Sequence, residues 1–193
     1  MHYIGLDLGK QHDYTALTIV QPQPQALHVV HLHRYPLGTD YTHIAADLVA
    51  TLTRPPLAGA SILGVDATGL GGPFLDLLRE RMQRRAPVVG ITITGDRAAR
   101  WSAADTVRVP KAELARTLAR LVELRRLRIA PALPLASLLA AEMRRFQVHI
   151  EQNGRTRYAA DFGAGENDDL VLSAMYACWL AEHAAHSIQQ RQR

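Results

Sequence analysis

Short apolar runs separated by polar turns make up the first part of the chain. Three of them, at residues 3–9, 14–20 and 26–35, are rich in Ile, Leu and Val and are bounded by polar residues or prolines. Runs of this length and composition are typical of β-strands. Because such short turns favour antiparallel neighbours, we expect a meander of three strands.

Helical periodicity then alternates with further short apolar runs. The pattern predicts a helix, a strand, a second helix and another strand, at residues 40–53, 61–66, 73–85 and 88–94. Strands that alternate with helices are typical of parallel pairing. We therefore expect an α/β fold with a mixed sheet, antiparallel strands first and parallel strands afterwards, flanked by helices.

The second half of the chain is predicted to be mostly helical. An exposed loop at 96–108 precedes a helix that opens at Pro110 and presents Leu114, Leu118 and Leu121 on one face. A short strand, a helix, a hairpin around Asn153-Gly154 and an alanine-rich helix follow at 127–129, 134–146, 147–162 and 167–183. Residues 1–186 are predicted to form one domain, and 187–193 a polar, frayed tail.

Composition and charge limit the classes of function. With 193 residues, of which 48% are hydrophobic and 21% charged, the chain is globular rather than disordered or fibrous. It has no apolar run of about 18 residues and no signal-peptide pattern at its start, so we expect no membrane partner. The single cysteine, Cys178, fits a cytoplasmic protein and a buried, unreactive position.

A net charge of +4 permits a polyanionic partner without proving one. Lys10 and Lys111 are the only lysines, and every other basic residue is arginine. Arginine suits bidentate contacts with phosphate, although coding bias explains such a preference equally well.

Aspartates occupy the ends of predicted elements. Asp7 and Asp66 each end a strand, and Asp168 and Asp169 open the last helix. Each alone fits turn or helix capping. Together they lie where α/β folds gather ligand sites, and carboxylates that converge there repel one another unless a cation separates them. Two Mg²⁺ or Mn²⁺ ions among such oxygens would suit phosphodiester hydrolysis.

Several segments, in order, resemble the nuclease domain of phage terminase large subunits. Residues 5–16 resemble the first strand and turn of that domain, and residues 64–69 resemble its second acidic motif. Three intermediate segments correspond to residues 109–114, 128–130 and 162–164, and the terminal acidic motif corresponds to residues 165–174. The resemblance covers nearly the whole chain. The terminal motif, Gly165-Glu166-Asn167-Asp168-Asp169, is more specific than a lone aspartate at the end of a strand.

This resemblance implies an RNase H-like fold and metal-dependent cleavage of double-stranded DNA during genome packaging. It implies that Asp7, Asp66, Asp168 and Asp169 are catalytic and bind two Mg²⁺ or Mn²⁺ ions, and it leaves open which member of the pair binds directly. Asp13 and Asn167 are candidate peripheral residues of the site. The implied partners are double-stranded DNA, a packaging ATPase, the portal and the small terminase, in the cytoplasm of a bacterial host.

The sequence departs from the family in two respects. Asn167 stands where the family usually has histidine, and because asparagine does not titrate, proton transfer at that position is in doubt. The packaging ATPase that normally precedes the nuclease is missing. The chain is therefore expected to be a separate subunit, a prophage remnant or a piece of a longer protein.

Basic side chains that could contact phosphates occur in several clusters. Each cluster is also compatible with an ordinary solvated surface, but a duplex-binding enzyme needs several such contacts. The candidates are Arg79, Arg84, Arg85, Lys111, Arg144, Arg145, Arg155 and Arg157.

Two other functions remain open at this point. Another RNase H-like enzyme, such as a Holliday-junction resolvase or an RNA–DNA hybrid nuclease, would share the acidic site and differ in its substrate. A catalytically inactive DNA-packaging module would bind duplex without cutting it, although the filled acidic positions argue against decay.

Overall fold

The computed structural model describes residues 1–9, 13–68, 71–83, 85–102, 105–150, 156–160 and 168–191. For residues 147–150, 156–160 and 184–191 the description is of the backbone. All statements below concern these residues.

An eight-stranded sheet forms the centre of the structure. Its strands, in spatial order, are β6 (Arg100–Trp101), β7 (Thr106–Pro110), β5 (Val88–Thr94), β4 (Ser61–Asp66), β1 (His2–Asp7), β2 (Ala16–Gln23), β3 (Ala26–Arg34) and β8 (Leu127–Ile129). A separate antiparallel pair consists of β9 (Phe146–Ile150) and β10 (Thr156–Ala160).

The sheet is mixed, as the sequence predicts. Strands β1, β2 and β3 form the antiparallel meander, whereas β4, β5 and β7 extend the sheet from β1 in parallel. At the two edges, β8 runs parallel to β3 and β6 antiparallel to β7. The central strand β1 therefore has an antiparallel neighbour on one side and a parallel neighbour on the other.

In the described residues, five helices cover the two faces of the sheet. They are α1 (Tyr41–Leu52), α2 (Gly71–Met82), α3 (Lys111–Glu123), α4 (Ala136–Arg145) and α5 (Asp169–Arg191). Helices α1 and α2 pack on one face, against a cluster that includes Ile4 and Leu6 of β1. Helices α3, α4 and α5 pack on the other face, against a cluster that includes Tyr3. Successive residues of β1 thus point to opposite layers.

Two predictions about element boundaries are wrong. The segment 96–108 is not an exposed loop: it contains β6 and most of β7, and Val107 and Val109 are completely buried. The apolar alternation around Arg108 is short and ends at a proline, which hid the strand. Helix α5 also continues to Arg191, into the segment predicted as a frayed tail.

Helix α5 contributes most to the core on its side of the sheet. Side chains from Leu170 to Leu180 are largely buried, and Cys178 is fully buried among them, as predicted. Burial raises the pKa of the Cys178 thiol to about 12. Among the helices in the described parts of the chain, none is long and apolar enough to span a membrane.

Gly5 allows α5 to pack directly on the backbone of β1. A Cβ atom at this position would lie 2.0 Å from the carbonyl oxygen of Ser173 and 2.7 Å from the nitrogen of Ala177. Both are backbone atoms of a helix, so they cannot move aside as a flexible side chain could. A buried hydrogen bond of 2.7 Å between Thr18 Oγ1 and Ser173 Oγ fixes the same turn of α5 to β2. Together these contacts set the depth and position of α5 on the sheet.

We expect Gly5→Ala to destabilise the protein by about 1–3 kcal/mol or more, because the added methyl group overpacks a rigid contact. Gly72→Ala is the matched control, since a Cβ there meets nothing within 4 Å. That substitution lies in α2 and should be neutral or stabilising by up to about 1 kcal/mol. Urea denaturation measures both values, and a Gly5→Ala variant as stable as the wild type would contradict the packing argument.

Candidate active site

Two of the predicted aspartates end neighbouring parallel strands. The pairing of β1 with β4 places Leu6 opposite Val65, so Asp7 and Asp66 are the next residues along the two strands. Since adjacent strands lie about 4.8 Å apart, these residues are direct neighbours at the carboxyl edge of the sheet. Asp7 is 7% exposed, and Asp66 is half-buried.

The N-terminus of α5 brings the other two predicted aspartates to Asp7. Asp168 accepts the N–H of Leu172 with its backbone carbonyl oxygen at 2.9 Å and thus precedes the first turn, in which Asp169 lies. Burial raises the pKa of Asp7 well above its usual range, and the charges of Asp66, Asp169 and Asp168 raise it further. The other three carboxylates therefore all act on Asp7.

The paired aspartates also hold raised pKa values. Burial raises the pKa of Asp169 to about 6, against the lowering effect of Arg34. Burial likewise raises the pKa of Asp168, against the lowering effect of Lys111. The exposed Asp13 adds a smaller repulsion to both members of the pair, so this candidate peripheral residue lies on the same side of the site.

Lys111 belongs to this site as well as to the set of predicted phosphate contacts. It is the first residue of α3 and directly follows the carboxyl end of β7. Its charge lowers the pKa of Asp7 and of Asp168, and its Nζ lies 5.8 Å from the ring centroid of Phe146. The lysine therefore offsets part of the negative charge of the four aspartates.

Two of the four carboxylates also have structural partners. The N–H of Thr68 donates to Oδ1 of Asp66 at 2.7 Å, which is the turn-capping contact that a strand-end aspartate commonly makes. Arg34 Nη2 donates to Oδ2 of Asp169 at 3.1 Å. The capping interpretation thus holds at Asp66, and this contact leaves the carboxylate at the edge of the sheet beside Asp7.

Arg34 and Glu142 are site residues that the sequence analysis missed. Arg34 ends β3 opposite Ala16, which itself lies opposite Asp7, so the arginine lies two strands from the central aspartate. Glu142 of α4 is 2% exposed, and its Oε2 accepts the N–H of Val171 at 2.9 Å. Histidine-rich β3 and amphipathic α4 gave no local signal, because the partners of both residues are more than 25 positions away along the chain.

Glu142 caps the first turn of α5 from a different helix. A carboxylate at a helix N-terminus satisfies backbone N–H groups that have no partner within the helix. Burial nevertheless raises the pKa of Glu142 to about 7, since its other oxygen, Oε1, is buried without a hydrogen-bond partner among the described residues. The start of α5 is therefore fixed by a buried acid as well as by packing.

The donor set fits hard divalent cations. Four carboxylates supply the oxygen ligands that Mg²⁺ and Mn²⁺ take. The Tyr176 hydroxyl is buried beside Asp7: burial first, and then the charge of the Asp7 carboxylate and its polar contact with the hydroxyl, raise the pKa of this tyrosine. In the described part of the chain, however, no group of three or more His, Cys, Asp or Glu side chains is already arranged as a metal cluster. The chemical type of these residues therefore suits a divalent cation. Two of the carboxylates, those of Asp66 and Asp169, also accept hydrogen bonds from the protein.

The predicted phosphate contacts of α2 lie away from this site. Helix α2 starts after the carboxyl end of β4 and ends before the amino end of β5, so Arg79 and Arg85 lie toward the opposite edge of the sheet. Arg79 Nη2 donates to the carbonyl oxygen of Asp105 at 2.9 Å, a contact that ties α2 to the start of β7. The structure does not bring these two arginines to the aspartates.

The last turn of α4 is closer to the acidic edge. Arg144 and Arg145 follow Glu142, which contacts the first turn of α5; Arg144 is exposed and Arg145 half-buried. Arg157 lies in β10, where the description covers the backbone. Arg84, Arg155 and Asn167 fall outside the described residues.

The solved structures that this chain resembles include several terminase nucleases. The chain is similar to the large terminase nuclease of thermophilic phage G20c with bound magnesium, with a TM-score of 0.61, 21% identity, and coverage of 92% of this chain and 80% of that chain. It is similar to the nuclease domain of the large terminase of bacteriophage SPP1 with bound manganese, with a TM-score of 0.57, 13% identity, and coverage of 94% and 86%. It is also similar to the nuclease domain of the human cytomegalovirus terminase, with a TM-score of 0.62, 12% identity, and coverage of 97% of this chain and 86% of that chain.

These likenesses establish the fold. The RNase H-like architecture expected from the sequence resemblance is confirmed, over nearly the whole chain and at low identity. No protein-family model matches the sequence, and no curated protein matches it at a significant level.

The raised pKa values predict how stability depends on pH. A carboxyl group whose pKa is higher in the folded than in the unfolded protein stabilises the fold at low pH, and this contribution is lost as the pH rises through the folded value. Without divalent cations, Asp7→Asn should therefore be more stable than the wild type at pH 8, by about 1 kcal/mol or roughly 2–4 °C in Tm. The difference should shrink as the pH falls toward 5.

Thermal melts of both proteins in EDTA across this pH range measure the effect. Asp76→Asn is the control, because Asp76 is an exposed residue of α2. A variant at Asp7 that is less stable than the wild type at pH 8 would show that the site does not concentrate negative charge.

Proposed function

We propose that the chain is a metal-dependent endonuclease that cleaves double-stranded DNA, as in phage genome packaging. The observation that supports this most directly is the convergence of Asp7, Asp66, Asp168 and Asp169 at one edge of the sheet, where burial and then the three neighbouring carboxylates raise the pKa of Asp7. Such a concentration of buried acids is unfavourable by itself and becomes favourable when cations bind among them. The fold shared with terminase nucleases, some of which were solved with magnesium, manganese or cobalt, is consistent with this proposal.

The four aspartates would hold two Mg²⁺ or Mn²⁺ ions, with Asp7 at the centre and Asp13 at the periphery. Two such ions supply electrostatic stabilisation of both the attacking and the leaving oxygen in phosphodiester hydrolysis. The protein's own contribution is orientation: the register of β1 and β4 fixes Asp7 beside Asp66, and the packing of α5 fixes the pair. Lys111 limits the repulsion among the acids and is placed to attract a phosphate.

Duplex DNA would approach across the edge of the sheet that carries the aspartates. Of the predicted phosphate contacts, Lys111 at the start of α3 and Arg144 and Arg145 at the end of α4 are the ones that would line this path. Contacts with phosphates position a duplex without reading its sequence, so we expect little base specificity from them. Arg79 and Arg85 would contact DNA only if it extended around the sheet.

The biological setting follows from the same proposal. We place the activity in a bacterial host, with residues 1–186 as one nuclease domain and 187–193 as a polar extension. The partners would be a packaging ATPase, the portal and the small terminase. In this proposal the ATPase would supply translocation of the DNA.

Plasmid digestion tests the proposed activity. The wild type should convert supercoiled plasmid to linear fragments in Mn²⁺ or Mg²⁺ and should be inactive in EDTA. Asp7→Asn and Asp66→Asn should each lower the rate by at least about 100-fold, since even residues that only support a metal ligand contribute about 10–100-fold.

Asp76→Asn serves as the matched control and should cut at the wild-type rate. Preferential cutting of four-way junctions or RNA–DNA hybrids over linear duplex would assign the same site to another RNase H-like enzyme. Duplex binding without cleavage in any divalent cation would instead identify an inactive packaging module.

Phosphate contacts are tested separately by DNA binding in EDTA. Arg144→Gln should weaken duplex binding and reduce the salt dependence by about one phosphate contact. Arg85→Gln, at the opposite edge, should have a much smaller effect. Equal losses for the two variants in fluorescence anisotropy titrations over several salt concentrations would argue against the proposed path of the duplex.

A further inference from the structure

Arg34 makes a buried contact with one of the proposed metal ligands. Its Nη2 donates to Oδ2 of Asp169 at 3.1 Å, and the two side chains are 18% and 4% exposed. The other two salt bridges found among the described residues, Arg108–Asp96 and Arg126–Glu182, are considerably more exposed. An ion pair that is held away from water is oriented more strictly than one at the surface.

A second contact fixes the guanidinium itself. The central carbon of the Arg34 guanidinium lies 3.6 Å from the centroid of the Tyr14 ring. A planar cation stacked on an aromatic face has a defined plane, and the direction of its N–H groups is therefore defined as well. Tyr14 thus orients Arg34, which in turn orients Asp169.

The geometry of this arrangement is not explained by stability alone. Nε of Arg34 is buried without a hydrogen-bond partner among the described residues, which is unfavourable for folding. Arg34 lies in the row Asp7, Ala16, Arg34 across β1, β2 and β3, at the edge of the sheet where the aspartates meet. An arginine kept there despite an unsatisfied N–H group is consistent with a role at the site.

We propose that Arg34, held by stacking on Tyr14, is a positioning residue that fixes the orientation of the Asp169 carboxylate beside Asp7. This inference rests on the proposed nuclease function for its effect on catalysis. The contact itself is independent of that function. Arg34 acts through Asp169 and does not touch the scissile phosphate.

Crystal structures of the full chain, grown without divalent cations, test the positioning role directly. In Arg34→Gln the Asp169 carboxylate should leave its wild-type rotamer or become disordered. In Arg126→Gln, which removes a salt bridge between α5 and the segment before β8, it should stay in place. An unchanged Asp169 in Arg34→Gln would overturn the proposal, whether or not the protein proves to be a nuclease.

Cleavage kinetics test the consequence for catalysis. At saturating Mn²⁺, Arg34→Gln should cut plasmid about 10–100-fold more slowly than the wild type. Loss of a positive charge by itself favours cation binding, so the Mn²⁺ dissociation constant from calorimetry should not account for the lower rate. A wild-type rate in folded Arg34→Gln would contradict the proposal.

Two further variants separate stacking from charge. Tyr14→Phe keeps the ring and should behave as the wild type, whereas Tyr14→Leu should reduce the rate partially. Arg34→Lys keeps the charge and loses the stacked plane, so it should recover only part of the activity. If Arg34→Lys and Tyr14→Leu both cut at the wild-type rate, the positive charge at position 34 would suffice, and the stacking on Tyr14 would have no role. A wild type that neither binds Mn²⁺ nor cuts would instead defeat the nuclease proposal, and the crystal structures would still decide the role of Arg34.

Discussion

The direct contact between helix α5 and the backbone of β1 determines the rest of the site. Gly5 leaves no side chain between the strand and the helix, so the carbonyl of Ser173 and the nitrogen of Ala177 lie where a Cβ would be. The same strand ends two residues later at Asp7. Because the helix packs at this depth, its first turn, with Asp169, reaches the end of the strand. Secondary structure and packing thus bring distant carboxylates together without any local sequence motif that spans them.

This arrangement has an electrostatic cost. Asp7 lies among three other carboxylates in a buried position, and its raised pKa reflects burial first and its neighbours second. The protein offsets part of the charge with Lys111 from one side and Arg34 from the other. What remains is a negative centre with oxygen donors, and divalent cations are the partners that such a centre favours. The proposed function and the electrostatic cost therefore have the same physical origin at this edge of the sheet.

The sequence predicted the fold class, and it predicted that aspartates end two strands and open the last helix, for identifiable reasons. The strands of the meander are apolar and sharply bounded, and aspartates at the ends of apolar runs are conspicuous. The strand β7 was missed because Val107 and Val109 are its main apolar signal and Pro110 ends it. Arg34 and Glu142 were missed because their roles depend on residues 135 and 29 positions away, a relation that appears once α5 is placed. Conversely, Arg79 and Arg85 were predicted as phosphate contacts from charge alone, and the topology separates them from the aspartates.

The most direct test of the account is to locate bound cations. Crystals of the wild-type protein soaked in Mn²⁺ should show anomalous difference peaks within bonding distance, about 2.0–2.3 Å, of oxygens from Asp7 and from the Asp168–Asp169 pair, with Asp66 beside them. The same soak of Asp7→Asn should show weaker peaks or none. Manganese bound elsewhere on the protein, with the Asp7 carboxylate unligated at saturating Mn²⁺, would contradict the claim that these four carboxylates form one metal centre.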